Sequence, residues 1–109
     1  IGPKQALGMI LTGRRVTAAE GQTLGFVNEV VPQGEALAAA KRWAALILEC
    51  SPLAVRASKQ AVYAGLDEES LAKAIGTMYP AQARNRDSQD YIEGPKAFAE
   101  KRKPNWRNT

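Results

Sequence analysis

Residues 34 to 50 read GEALAAAKRWAALILEC, and the way their few polar side chains are spaced sets the fold class. Glu35, Arg42 and Glu49 recur every seven residues as a narrow polar strip. Leu37, Trp43, Ala44, Leu46, Ile47 and Leu48 take up most of the remaining circumference of a helix. A helix apolar over so much of its surface requires cover on more than one side. The whole chain has 109 residues, 45% hydrophobic and only 6% aromatic, so one modest core of Ala, Leu, Val and Ile is what it can build.

The helical pattern continues on both sides of this stretch. Ser51-Pro52 supplies an N-cap followed by proline at the first helical position, and the next helix sets Arg56, Lys59, Gln60 and Tyr63 opposite Val55, Val62 and Leu66. Asp67 or Glu68 opens another, with Leu71, Ile75 and Met78 at helical spacing until Pro80 kinks or ends it, and Ala81 to Arg86 continues the run. Ser88 caps a last segment, broken or bent at Gly94-Pro95, that carries Phe98 and Lys101 one turn apart on one side. Toward the N-terminus, Pro3 to Leu11 forms a short helix before Gly13, and Thr17 with Glu20 has capping-box spacing for a very short helix that stops at Gly25. Phe26 to Val31, FVNEVV, reads as one short edge-like strand or extended connector. No second strand is available to pair with it, so its partner is expected outside the chain. The fold class expected is mainly α, with at most one short strand.

Charge is unevenly placed. Residues 1 to 95 carry ten Lys plus Arg against ten Asp plus Glu, whereas residues 96 to 109 carry five against the single Glu100, so the net charge of +4 sits entirely in the tail. Such a patch is a footprint for phosphates of some kind, or a solvated end that aids solubility. The lone Cys50 rules out an internal disulfide, no uncharged run reaches 18 residues, and no signal peptide is expected. A soluble chain in a reducing compartment is expected, with the cytoplasm as default and no membrane partner. The chain opens on Ile1-Gly2-Pro3 without a methionine and reads as a piece of something longer.

Chemistry is marked by absence. Without histidine, imidazole acid–base catalysis and ordinary zinc sites are excluded within the chain, and no metal site is expected. Cys50, at the end of an apolar helix, is expected to be a small buried side chain. Glu68 and Glu69 point about 100° apart on a helix and suit a solvated first turn, not a catalytic dyad. The glycines form neither GxGxxG nor GxxxxGK[ST]. No catalytic residue is assigned, and Tyr63, Tyr79 and Tyr91 are expected in structural roles.

Three segments, in order, resemble one family. ILTGRRVTAAEGQTLGFVNEVVP (10–32) is similar to the "LTG-R-(S/T)-A-E-A…LG-VN-VVP" stretch of the enoyl-CoA hydratase/isomerase family, the crotonase superfamily. SPLAVRASKQAV (51–62) resembles that family's next helix, and EGPKAFAEKRKPNW (93–106) resembles its closing "EG…AF-EKR-P-(F/W)" signature, in a form similar to the carnitinyl-CoA dehydratase branch. The resemblance implies a C-terminal piece. Residues 1–32 would be the end of the β/α spiral core, 33–109 the helical region that packs subunits into trimers or hexamers, and the oxyanion hole and catalytic glutamates would lie elsewhere.

It also implies that Phe98 and Lys101 contact the nucleotide end of coenzyme A, the aromatic face against adenine or pantetheine and the ammonium on a phosphate. Of Arg102 and Lys103, at most one would share that site. No prosthetic group is implied; the substrate is carried as a coenzyme A thioester, and the piece alone would be inactive. Trp106 is expected to anchor the tail. Gly21 and Pro95 depart from the family pattern, which implies a frayed second helix and an altered last one. Two other functions compete: a stand-alone helical interaction module, and a basic-tailed nucleic-acid binder, for which no recognition motif is present.

Overall fold

The computed structural model describes residues 1–109 and contains helices only: α1 (Pro3–Thr12), α2 (Ala18–Leu24), α3 (Ala36–Leu48), α4 (Pro52–Leu66), α5 (Leu71–Gly76), α6 (Pro80–Arg86) and α7 (Gln89–Ala99). The chain divides into two compact units, Ile1–Trp43 and Ala44–Thr109, with the division inside α3. No helix is long and apolar enough to cross a membrane.

In the first unit the expected punctuation is present. Pro3 stands in the first turn of α1, and Gly13 ends it with φ 62°. Thr17 accepts the Glu20 N–H at 3.2 Å to start α2. Only half of the capping box forms, because the Glu20 carboxylate reaches Arg14 Nη2 at 2.7 Å. Gly21 does not fray the helix. It is buried, its carbonyl accepts the N–H groups of Gly25, Phe26 and Val27, and a Cβ there would lie 2.8 Å from Val27 Cγ2 and 2.9 Å from Phe26 Cε2. The missing side chain is what lets the connector fold back over α2.

Phe26 to Val31 is not a strand. With no neighbouring backbone to pair with, the segment is an extended connector tied by its side chains. Glu29 accepts from Arg42 Nη2 at 2.5 Å and from Trp43 Nε1 at 2.8 Å, both on α3. Those hydrogen bonds hold the Glu29 carboxyl below its ordinary range, the indole first and the guanidinium after it.

In the second unit Ser51 caps α4 by accepting the Ala54 N–H at 3.4 Å. α5 starts later than expected: Ser70, whose hydroxyl takes the Lys73 N–H at 3.2 Å, is its cap, and Asp67 to Glu69 lie before it. Pro80 neither kinks nor ends a helix. It opens α6, where its missing N–H costs nothing. Ser88 caps α7 by accepting the Tyr91 N–H at 3.2 Å, and α7 runs unbroken through Gly94 and Pro95.

The buried apolar set is small: Ala39 in the first unit, and Leu53, Ala57, Tyr79 and Ala97 in the second. Burial against Gly65 and the nearby Glu68 carboxylate push the Tyr79 hydroxyl's pKa up, and that hydroxyl has no hydrogen-bond partner. The chain exposes 8819 Å². Two separate compact bodies of these sizes would expose about 7,000 Å².

Candidate functional site

Helix α7 and the segment after it carry the tail's charge, and the geometry sorts those cations into two kinds. Glu100 is the last, C-cap residue of α7. Lys101 follows with φ 52°, the left-handed conformation; its N–H reaches the Phe98 carbonyl at 3.2 Å, and the Arg102 N–H reaches that of Ala97 at 3.1 Å. This is the paired hydrogen-bond pattern of a Schellman turn, whose left-handed position is normally glycine, and a side chain there costs about 1 kcal/mol. Lys101 is therefore not on the helix one turn below Phe98, as the spacing predicted, because the helix has already ended. Both side chains still project from the same turn. Phe98 is 86% exposed, and Lys101 is exposed and pairs with no carboxylate.

Arg102 is the opposite case. Its guanidinium forks onto Glu93, Nη1 to Oε1 at 2.5 Å and Nη2 to Oε2 at 3.0 Å, while Nε meets Glu100 Oε2 at 2.6 Å. The Asn105 N–H also donates to Glu93 Oε1, at 2.8 Å. The Arg102 hydrogen bond, then the backbone N–H, hold the Glu93 carboxyl down to about 2, and the two carboxylates raise Arg102 further above its ordinary value. Arg102 is committed to the fold and is not free for a phosphate.

Further contacts fasten the tail, among them Arg56 Nη1 to Asn108 Oδ1 at 3.0 Å and the Gln89 N–H to the Thr109 carbonyl at 2.6 Å. Asp90, 2% exposed, accepts the Ser51 hydroxyl at 3.1 Å and the N–H groups of Arg107 and Asn108 at 2.7 and 3.2 Å. Trp106 anchors as expected: its indole N–H donates to the Glu49 carbonyl at 2.8 Å and its ring lies 3.5 Å from where a Cβ on Gly94 would stand. Between α7 and the tail is a cleft of about 400 Å³ bordered by Lys96, Arg102, Asn105 and Arg107.

The remaining candidates carry no chemistry. Cys50 is exposed, not buried, lying just past the end of α3. Lys73 lies between Glu68 and Glu69 at 3.3 and 3.6 Å, so both are ion-paired surface acids. No cluster of three or more Cys, Asp or Glu is placed to hold a metal. Sequence reasoning missed Asp90 and Glu93. An acid in the first turn of a helix has an ordinary explanation in the helix dipole, and nothing in the spacing of Glu93 and Arg102 marks a fork closed across a chain reversal.

Comparison with known proteins gives the same bearing. The family model for enoyl-CoA hydratase/isomerase matches residues 1–109. The chain belongs to the enoyl-CoA hydratase/isomerase family. Among curated members, a carnitinyl-CoA dehydratase from Salmonella typhi is 36% identical over 91% of this chain and 39% of its own length. Two solved members of the family, an enoyl-CoA hydratase/isomerase from Mycobacterium paratuberculosis and an enoyl-CoA hydratase from Mycobacterium tuberculosis H37Rv, superpose with TM-scores of 0.90 each. They are 32% and 33% identical, over all of this chain and 43% of theirs. The chain thus spans about two fifths of the length of the enoyl-CoA hydratase/isomerase relatives it matches.

Proposed function

We propose that this chain is the C-terminal helical part of an enoyl-CoA hydratase/isomerase that adds or removes water at a 2-enoyl-CoA, with residues 1–32 closing the catalytic core and 33–109 joining subunits. Its own contribution is association and one edge of the coenzyme A site. The thioester oxyanion and the water are handled by parts of the enzyme outside these residues, and the enzyme works in the cytoplasm.

The observation that carries the proposal is uncovered apolar surface. A single exposed leucine or isoleucine is normal on a protein, but here Ile10, Leu11, Leu46, Leu48, Leu66 and Ile75 are all more than half exposed. The 8819 Å² total exceeds that of two separate compact bodies by about 1,800 Å², enough for a stable interface. For coenzyme A, support comes from the exposed Phe98 ring and, three residues on, the exposed and unpaired Lys101 ammonium, an apolar face and a mobile point charge.

The test has two arms. In the whole enzyme, Lys101→Ala should weaken coenzyme A binding about tenfold by calorimetry, the loss of one charge-assisted contact. The separated 109-residue chain should hydrate no crotonyl-CoA and should self-associate by light scattering. Unchanged affinity removes Lys101 from the site; a well-behaved monomer at high concentration counts against the association role.

A further inference from the structure

Lys101 sits in a conformation that glycine would adopt freely, yet its side chain makes no ion pair in the fold. A strained residue persists only where its surroundings over-determine it, and such residues cluster at ligand clamps. Here the surroundings are specific. The turn is fixed on one side by α7 and on the other by Arg102, whose fork onto Glu93 and Nε contact to Glu100 take up both nearby carboxylates. Glu100 is the residue directly before Lys101, and without a partner its carboxylate would be free to compete for the ammonium.

We propose that the Glu93–Arg102–Glu100 cluster is a positioning clamp: it holds the strained turn at the end of α7 and keeps both carboxylates occupied, so that the Lys101 ammonium stays free for a phosphate of the coenzyme A nucleotide. The inference rests on the coenzyme A role proposed above for Lys101. It makes Arg102 a residue that acts through its neighbour and never touches the ligand. Two adjacent cations therefore have opposite duties, one neutralised within the fold and one presented outward.

The experiment is a double-mutant cycle in the whole enzyme, read as the dissociation constant of coenzyme A with melting temperature measured in parallel. Lys101→Gly should leave the melting temperature unchanged or raised while weakening binding about tenfold, because the turn accepts glycine and only the ligand needs the ammonium. Glu93→Gln should weaken binding about threefold in the native background and not at all beside Lys101→Ala. Arg102→Lys keeps the charge but cannot fork, and should reproduce the Glu93→Gln loss, which covers the case in which that variant folds poorly. If Lys101 variants bind normally, the role of Lys101 itself is wrong. If Lys101 matters but Glu93→Gln and Arg102→Lys bind normally, or lose as much affinity without Lys101 as with it, the clamp is structural only and the proposal is overturned.

Discussion

Replacing Asp90 should release the tail, and the structure sets how far. Its carboxylate is 2% exposed and takes three donors: the Ser51 hydroxyl at 3.1 Å and the backbone N–H groups of Arg107 and Asn108 at 2.7 and 3.2 Å. Each hydrogen bond to an ionised group contributes roughly 1.5–3 kcal/mol. The total lost in Asp90→Ala is less than the sum. The two N–H groups released regain water, and the tail is still held by Trp106 on Glu49, Arg56 on Asn108 and the Gln89 N–H on the Thr109 carbonyl. The Ser51 hydroxyl has no such escape, being buried at the start of α4. A cost of about 3 kcal/mol follows for alanine, and about half of that for asparagine, which keeps one acceptor oxygen but turns an N–H₂ toward a donor. The assay is amide hydrogen exchange on the 109-residue chain. Protection at Arg107 and Asn108 should fall about 100-fold in the alanine variant and about tenfold in the asparagine one. Unchanged exchange at both amides would show that the tail is held by something other than this carboxylate.

Gly21→Ala tests whether the glycine serves contact or flexibility. Alanine gains about 1 kcal/mol of helix propensity, but a Cβ at 2.8 Å from Val27 Cγ2 overpacks the connector at a cost of about 1–3 kcal/mol, so the denaturant midpoint should fall; a rise would mean that the connector yields freely. Acid should loosen the tail through Glu93. Its carboxyl lies at about 2 when folded, below the ordinary 4.5, so the unfolded chain takes up the proton first. The contribution is complete above about 4.5 and is lost as pH falls toward 2. Trp106 fluorescence in a Trp43→Phe background should follow that loss in the native chain and be flatter over the same range in Glu93→Gln.

How much of this was legible in the sequence depends on how local each determinant is. Caps were readable because a hydroxyl and the N–H three residues on are fixed by backbone geometry alone, as at Thr17, Ser51 and Ser88. Proline was ambiguous. Pro80 can equally end one helix or begin the next, and Ser70 and Thr77, bounding the short α5, decide for the second. The segment 26–31 left strand and extended connector open because β-branched composition reports fitness for a sheet surface, and with no sheet among these residues the connector is what forms. Lys101 was placed on the helix although α7 ends two residues before it, because the residue type that usually marks a helix end, glycine, is absent there. The clamp was invisible for a different reason. Glu93 and Arg102 meet only after the chain reverses, and Asp90 meets residues 17 and 18 positions later.

The first unit bears most directly on the proposed association role. Bodies of about 40 residues usually need disulfides, a metal or association to hold together. Here the one cysteine, Cys50, lies outside the unit and no acid or thiol cluster is placed for a metal. Its only buried side chain is Ala39, whereas Leu7, Ile10, Leu11 and Leu37 are all more than half exposed. Burying each of those would contribute about 1.5–3 kcal/mol, comparable in sum to the whole stability of a small domain. Local caps can decide where these helices begin and end, but they contribute too little to hold them together. Their exposed apolar side chains are the surface on which the proposed association role rests.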